Sequence, residues 1–258
     1  MRIVVLVKPV PDPGEERLGA DGRLDRAVTA VINGNDEYVL EAALQLVDAN
    51  GGDVTVLSMA PPGMTDPIRK ALAMGATRAV LVSDPALVDA CAWSTVQVLA
   101  AALRTLEYDL VLVGADTSDG GGGVVGAAVA TLLGHPYMSH ARRIEPIEGG
   151  VRVERLSAAG HDVLEAALPA VVAGTQLLGE PRYPTLRGIM GARSKEIAIR
   201  TLEAIGLGDR PVGGAHATTR LLDVRSPATR GPTRVVRDAD PGAAAAAIVD
   251  FLAERRAI

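Results

Sequence analysis

The sequence predicts a doubly wound α/β domain around a parallel sheet, and three observations support that fold class. Short runs of Val, Leu and Ile alternate with longer helical patterns, as is typical of strands buried on both faces. The helical patterns begin or end at cap residues, prolines or glycines. With 258 residues and 48% hydrophobic content, the chain can bury a substantial core. The predicted strands are Ile3–Val7, Val54–Ser58, Ala79–Val82, Leu110–Val113 and Ala170–Ala173.

Helices are predicted where apolar residues recur at helical spacing. In the first, Leu40, Ala43, Leu44 and Val47 fall at helical spacing, with Asn35 or Asp36 available as N-cap and Asn50-Gly51-Gly52 as the stop. Two Asp-Pro pairs, at residues 66–67 and 240–241, mark the starts of helices. These helices, and one after a glycine run, are expected at about 67–74, 241–256 and 124–134.

The α/β alternation is interrupted once and then lost. Residues 137–168 contain strand-like segments around a Glu148-Gly-Gly150 turn, which predicts a small antiparallel insertion. One α/β domain that includes this insertion is therefore expected over 1–181. Residues 182–258 are rich in Arg, Gly and Pro and show little periodicity before the last helix. We expect this segment to be a C-terminal arm that wraps over another surface.

Charge is divided unevenly along the chain. Residues 182–258 carry 13 Lys+Arg and 8 Asp+Glu, so this segment is +5 and the rest of the chain, with a total of −5, is −10. The arginines are scattered and aromatic content is 2%, so the stacking surfaces used to bind nucleic acid are missing. A protein partner explains the basic tail better than nucleic acid does, and a solvated surface without a partner is the alternative.

Several other classes are disfavoured by the residues present. The longest apolar runs fall short of the roughly 20 residues that cross a bilayer, and the N-terminus reads as a strand, so we expect a cytoplasmic protein rather than a membrane protein. His135 and His140 lack neighbouring metal ligands, and we predict no metal site. The serines lack a nucleophile elbow, so covalent hydrolysis is not expected, and no residue is assigned a catalytic role.

Three loops should meet where a parallel sheet binds ligands, beyond the carboxyl ends of its strands. They are Leu6–Pro9, Asn33–Asp36 and the glycine-rich loop Gly114–Gly126. Four consecutive glycines in the third loop leave backbone amides bare, which favours a phosphate and hence a nucleotide. A flexible turn is the alternative. Asp116 and Asp119 are expected to accept hydrogen bonds there rather than act as an acid–base pair.

Two familiar nucleotide motifs do not fit this loop. Gly121–Gly126 matches the dinucleotide pattern formally, but it follows the fourth strand and the nearest suitable acid, Glu145, lies in a Pro/Gly loop. A nicotinamide site is therefore not expected. No Gly-Lys-Ser/Thr follows the glycines, so a nucleotide-hydrolysing P-loop is unsupported.

A segment after the last predicted strand looks like a presented surface, because an Arg-Tyr pair and aliphatic residues lie between prolines at Glu180–Met190. Together with Asn33–Glu37, Ala71–Ala76 and Asp109–Gly114 ahead of an Asp-Gly run, it resembles the β subunit of electron transfer flavoproteins. The resemblance runs from Met1 to about Lys195.

The resemblance implies a Rossmann-like domain of the adenine-nucleotide-binding type whose C-terminal arm wraps around an α subunit in an obligate heterodimer. The α subunit would hold most of a redox-active FAD, and this chain would bury AMP, or a second FAD in electron-bifurcating members. The implied cofactor-binding residues are Leu6, Asn33, Gly34, Asn35, Asp36, Met59, Gly114, Ala115, Asp116, Thr117, Ser118, Asp119, Gly120, Gly121, Gly122, Gly123, Val124 and Val125.

The glycine-rich loop departs from the usual family form. Gly121–Val124 stand where the family tends to carry Asp, Thr or Asn, Gly and Gln, so phosphate recognition is left to backbone amides. The resemblance also assigns partner recognition to one stretch, here called the recognition segment, in which Leu186 would anchor in a pocket of a dehydrogenase. Its residues are Arg182, Tyr183, Pro184, Thr185, Leu186, Arg187, Gly188, Ile189 and Met190. An ordinary turn with Leu186 packed inward is the alternative.

Three functions follow as hypotheses. The first is an electron carrier that takes electrons from dehydrogenases, such as acyl-CoA dehydrogenases, and passes them through FAD at the α/β interface to a quinone-reducing acceptor. The second is a bifurcating assembly with a second redox-active FAD in place of AMP. The third is a stand-alone nucleotide-binding regulator with no flavin partner.

Overall fold

A computed structural model describes residues 1–225, 233–237 and 240–258 of the chain. These residues divide into two units, Met1–Arg220 and Leu221–Ile258. The first unit contains eleven strands in its described residues. They are β1 (Arg2–Leu6), β2 (Pro9–Pro11), β3 (Ala30–Ile32), β4 (Asp53–Met59), β5 (Arg78–Val82), β6 (Leu110–Gly114), β7 (Tyr137–Ile147), β8 (Gly150–Ser157), β9 (Gly160–Ala167), β10 (Ala170–Gly174) and β11 (Ile197–Arg200).

The α-helices of the two units are α1 (Gly34–Asn50), α2 (Asp66–Met74), α3 (Ala92–Arg104), α4 (Val125–Leu133), α5 (Leu186–Ser194) and, in the second unit, α6 (Pro241–Glu254). The helices expected near 67–74, 124–134 and 241–256 are confirmed within a few residues. The first helix begins earlier than predicted, because its N-cap is Asn33 instead of Asn35 or Asp36.

Nine strands form one sheet in the order β11-β5-β4-β1-β6-β10-β7-β8-β9. The five strands predicted from apolar runs lie together in its centre and pair in parallel. Their side chains are almost all buried, because helices cover both faces. β2 and β3 form a separate two-stranded antiparallel ribbon.

The two faces of the sheet have separate hydrophobic cores. On one face, Leu40 of α1 and Ile68 of α2 pack with the alternate strand residues of the first cluster. On the other, Leu103 of α3 and Val129 of α4 pack with the second cluster. This arrangement confirms the predicted doubly wound α/β fold.

The antiparallel insertion is also confirmed. β7, β8 and β9 form an antiparallel meander, and the β7–β8 turn contains Gly149 at a φ of 67°, a conformation that suits glycine. β7 pairs in parallel with β10, so the insertion extends the main sheet.

Part of the segment beyond residue 181 belongs to the first unit, which reaches Arg220. There α5 packs against α2, and β11 adds to the sheet edge beside β5. The expectation of little periodic structure before the last helix missed these elements, because one short helix and a four-residue strand give a weak pattern.

The second unit contains α6. Asp240 caps the helix by accepting bonds from the amides of Gly242 and Ala243 at 2.9 and 3.1 Å, with Pro241 at the first helical position. The predicted arm includes residues 226–232 and 238–239, which lie outside the described residues. Among the described helices, none has both the length and the apolar character needed to span a bilayer.

Candidate functional site

The sheet changes winding direction between β1 and β6. From β1 the chain moves outward through β4 to β5, and then returns to place β6 on the other side of β1. In an open parallel sheet, such a switch point opens a crevice at the carboxyl ends of the strands. The loops after β1 and β6 border this crevice.

Asp36, in the first turn of α1, joins the loops that border the crevice. Its buried carboxylate accepts hydrogen bonds from the amides of Lys8 at 2.8 Å and Gly114 at 3.2 Å, and from the side-chain amide of Asn33 at 3.1 Å. Burial raises the pKa of Asp36 to about 7, although these hydrogen bonds oppose the shift. The Asp36 carboxylate therefore links β1, α1 and β6.

Asn33 and Asn35 hold the start of the glycine-rich loop. The Asn33 side chain donates to the carbonyl of Asp116 at 2.9 Å and accepts from the amide of Ser118 at 3.1 Å. Asn35 donates to the carboxylate of Asp116 at 2.6 Å. These bonds explain why Asn33, the N-cap of α1, makes no side-chain capping bond.

Glycine is required at position 114 for this arrangement. A Cβ built there would lie 2.2 Å from the Asp36 carboxylate and 3.0 Å from Asn35. Any other residue would push α1 away from the end of β6.

Asp119 forms a second anchor, which the sequence did not reveal. Its side chain is only 1% exposed and contacts Lys8 Nζ at 2.6 Å and Arg26 Nη2 at 2.7 Å. Burial alone would raise the pKa of Asp119, but the hydrogen bonds from Lys8 and Arg26 prevail and lower it to about 2. Lys8 and Arg26 are thus held beside the glycine-rich loop, which also carries the Asp116 carboxylate.

The four glycines leave backbone rather than side chains at the crevice. Gly121 and Gly123 have φ values of 55° and 59°, in the region that favours glycine. Gly121 donates to the Thr117 carbonyl at 2.7 Å. At Gly121 and Gly122 an added Cβ would meet no atom within 4 Å, so the loop is open there.

The loop leads directly into the N-terminus of α4, whose N-cap Val124 offers no side-chain acceptor. The first amides of an α-helix lack partners inside the helix and attract anions. Bare loop amides, an uncapped helix start and two nearby cations fit a phosphate group.

The remaining predicted nucleotide residues border the crevice with different exposure. Leu6 is buried in the core at the end of β1, so its side chain is not presented to a ligand. Met59, at the end of β4, is half-buried. Ala115 donates its amide to the Gly174 carbonyl at 2.8 Å. Gly34 and Val125 occupy the first turns of α1 and α4.

The last five residues of the recognition segment form the start of α5, and the four before them lead into that helix. Thr185 caps the helix by accepting a bond from the Gly188 amide at 3.1 Å, and Leu186 is the first helical residue. Tyr183, Leu186 and Met190 are 87%, 75% and 65% exposed. Ile189 and Arg187 are exposed too, while Pro184 is half-buried. The exposure of Leu186 contradicts the alternative in which it packs inward.

Arg182 differs from the other residues of the recognition segment. Its guanidinium donates to both carboxylate oxygens of Glu41, at 2.8 and 3.1 Å, and to Asp48 at 2.9 Å. Its backbone amide also donates to Glu41 at 3.1 Å. These bonds raise the pKa of Arg182. Most of its hydrogen-bonding capacity is thus directed at α1, a role that the sequence did not indicate.

α5 lies very close to α2. A Cβ on Gly188 would be 2.4 Å from the carbonyl oxygen of Ala73. Arg69 of α2 donates to the carbonyls of Ala192, at 2.8 Å, and Lys195, and Lys195 Nζ donates to the Ala76 carbonyl at 2.6 Å. The C-terminal end of α5 is therefore fastened to α2.

His135 and His140, which the sequence gave no metal role, do not lie in a ligand set. Within the described parts of the chain, no three His, Cys, Asp or Glu side chains group as metal ligands do. His135 instead contacts the Tyr108 hydroxyl at 3.0 Å.

Comparisons with known proteins place the chain in a family. The family model described as the electron transfer flavoprotein domain matches residues 22–205. The electron transfer flavoprotein subunit beta of Mycobacterium leprae is 41% identical over 250 residues, covering 93% of this chain and 94% of the relative. The protein of the same name from Clostridium acetobutylicum is 34% identical over the full length of both chains.

A third relative belongs to a differently named assembly. The Caffeyl-CoA reductase-Etf complex subunit CarD of Acetobacterium woodii is 34% identical over 262 residues, covering all of both chains. The chain belongs to the electron transfer flavoprotein family, in its β-subunit branch.

Proposed function

We propose that this chain is the β subunit of a heterodimeric electron transfer flavoprotein. It would carry electrons, through FAD held at the interface with an α subunit, from dehydrogenases to a quinone-reducing or other acceptor. We place it in the cytoplasm and assign it no substrate chemistry of its own. One observation supports the proposal most strongly. A chain of this family combines a crevice that fits a phosphate group with a helix whose first residues are apolar and exposed.

AMP is the ligand we propose for the crevice. Asn33–Asp36 would border the adenosine side, and the loop Gly114–Val125 would hold the phosphate through its amides. Lys8 and Arg26 support the same assignment because they bring positive charge to that loop. Bound AMP would supply no redox chemistry and would act structurally, by fixing the loops around it.

The α subunit is the proposed partner for the C-terminal residues. The +5 charge of residues 182–258 would favour a partner of opposite charge by electrostatic complementarity. When bound, FAD supplies the two-electron chemistry of the complex. This chain would complete its binding site from one side.

The exposed residues of the recognition segment are proposed to contact a dehydrogenase, such as an acyl-CoA dehydrogenase. A carrier that visits a donor and then an acceptor needs a small interface with one good apolar anchor. Leu186, three-quarters exposed at the start of a fastened helix, suits that anchor.

Electron uptake tests this assignment. The complex of this chain with an α subunit is reduced by an acyl-CoA dehydrogenase, and kcat/KM is measured. Leu186→Ala should lower kcat/KM roughly tenfold, because the interface loses its apolar anchor. Its FAD content should be unchanged. Val163→Ala, which shortens an exposed aliphatic residue on β9, is the matched control. Equal kinetics for both variants would remove the assignment.

A second candidate is the β subunit of a bifurcating complex. The glycine-rich loop leaves it open, because Gly121 and Gly122 present no side chain that would select AMP over a larger nucleotide. Full-length similarity to CarD agrees with this candidate. Counting flavin per heterodimer separates the two: one FAD with AMP supports the simple carrier, and two FAD support the bifurcating complex.

A further inference from the structure

Arg182 links two elements that are far apart in the sequence. It lies four residues before α5, and its partners Glu41 and Asp48 lie in the middle and last part of α1. The Glu41 side chain is only 5% exposed, and Gln45 donates to it at 2.9 Å. Charge-assisted, bidentate bonds of this kind are stronger and more directional than neutral ones.

The consequence is that α5 is fastened on both sides of its exposed face. Arg182 holds the chain entering the helix against α1, while Arg69 and Lys195 hold its end against α2. Between these points the helix exposes Leu186 and Met190. A binding surface that is already ordered loses less conformational entropy when a partner docks.

We infer that Arg182 is a positioning residue, which fixes the apolar start of α5 by its bonds to Glu41 and Asp48 and does not itself recognise the partner. The inference rests on the proposed docking role of the recognition segment and adds the source of its rigidity. The guanidinium geometry matters, since a lysine ammonium cannot donate to both oxygens of Glu41 in the same fork.

Hydrogen exchange of the full-length chain tests the inference without any partner. In Arg182→Met, the backbone amides of residues 186–194 should exchange roughly tenfold faster or more. Without the Arg182 hydrogen bonds, the local opening that allows exchange costs less free energy. Arg182→Lys should fall between this variant and the unaltered chain. Arg155→Met is the matched control, because Arg155 also donates to two side chains, Asp162 and Ser139, at the end of the sheet opposite β11. Unchanged exchange of residues 186–194 in Arg182→Met would overturn the inference.

Kinetics of the complex with an α subunit then separate positioning from general stability. Arg182→Met should raise KM for an acyl-CoA dehydrogenase roughly tenfold with little change in kcat, as for lost preorganisation. In the Leu186→Ala background, Arg182→Met should not raise KM further, because the surface that Arg182 positions has already lost its anchor. Additive effects would contradict the positioning role. If the dehydrogenase fails to reduce the unaltered complex, the proposed docking partner is wrong, and the exchange experiment still decides the role of Arg182.

Discussion

Two buried carboxylates at one crevice show how local contacts set residue chemistry. Asp36 accepts only neutral N–H donors, and burial raises its pKa to about 7. Asp119 is paired with Lys8 and Arg26, and its pKa is lowered to about 2. The difference arises from the charge of the donors, since neither side chain is open to solvent.

The raised pKa of Asp36 predicts a pH dependence of stability. Because its pKa in the folded chain lies above the ordinary value of 3.8, the native state binds the proton more tightly than the unfolded state. The contribution of Asp36 to the free energy of unfolding is therefore full below pH 3.8 and declines as the pH rises through about 7. Urea unfolding at several pH values measures this loss.

Asp36→Asn supplies the comparison for that measurement. Because asparagine does not titrate, the variant should lack this part of the pH dependence. From acid to neutral pH, the free energy of unfolding of the unaltered chain should therefore fall relative to that of the variant, by up to roughly 4 kcal/mol. Parallel curves for the two proteins across this range would show that Asp36 does not titrate with a raised pKa.

The glycine-rich loop gives a second residue-scale prediction. Gly121→Ala should lower the free energy of unfolding of the nucleotide-free chain by about 1–2 kcal/mol, because Gly121 has a left-handed conformation. Gly122→Ala is the matched control, since its φ lies outside that region and its Cβ would meet open space. An equal loss in both variants would contradict the backbone geometry described for the loop.

At this scale the sequence predicted which loops meet but not every contact within them. Asn33–Asp36 and Gly114–Val125 were expected at one crevice, because strand ends of a parallel sheet share an edge. The Arg26–Asp119 and Arg182–Glu41 pairs were not expected, since 93 and 141 residues separate their members. Local spacing carries no information on such pairs.

At the scale of elements, apolar runs predicted the central strands and helical spacing predicted α1. Asp-Pro starts and the glycine run predicted α2, α4 and α6, whereas α3 was not predicted. The predicted N-cap of α1 was wrong because Asn33, Asn35 and Asp36 are all good capping residues, and tertiary hydrogen bonds decide how each is used. The edge strand β11 was missed because it is short, with two half-buried and two exposed residues.

The packing of α5 on α2 can be tested with two glycines of the same helix. Gly188→Ala should destabilise the chain by about 1–3 kcal/mol, because its Cβ would collide with the Ala73 backbone and overpack the contact. Gly191→Ala should be neutral or stabilising by about 1 kcal/mol, since nothing lies within 4 Å and alanine favours a helix. Thermal unfolding measures both. A stable Gly188→Ala variant would show that the two helices are further apart.

At the scale of the whole molecule, the proposed function treats this chain as one half of a complex. The first unit contains both hydrophobic cores of the α/β sheet. The crevice proposed to bind a nucleotide and the exposed start of α5 lie in the same unit. What the chain is proposed to lack is most of the flavin site, which the α subunit would supply.

The composition of the complex tests that central proposal most directly. The chain is co-expressed with an α subunit, and the subunits and acid-released nucleotides of the purified product are quantified. The account predicts a yellow heterodimer with one FAD and one AMP. A chain that stays alone, carries no adenosine nucleotide and leaves the mixture colourless would contradict it.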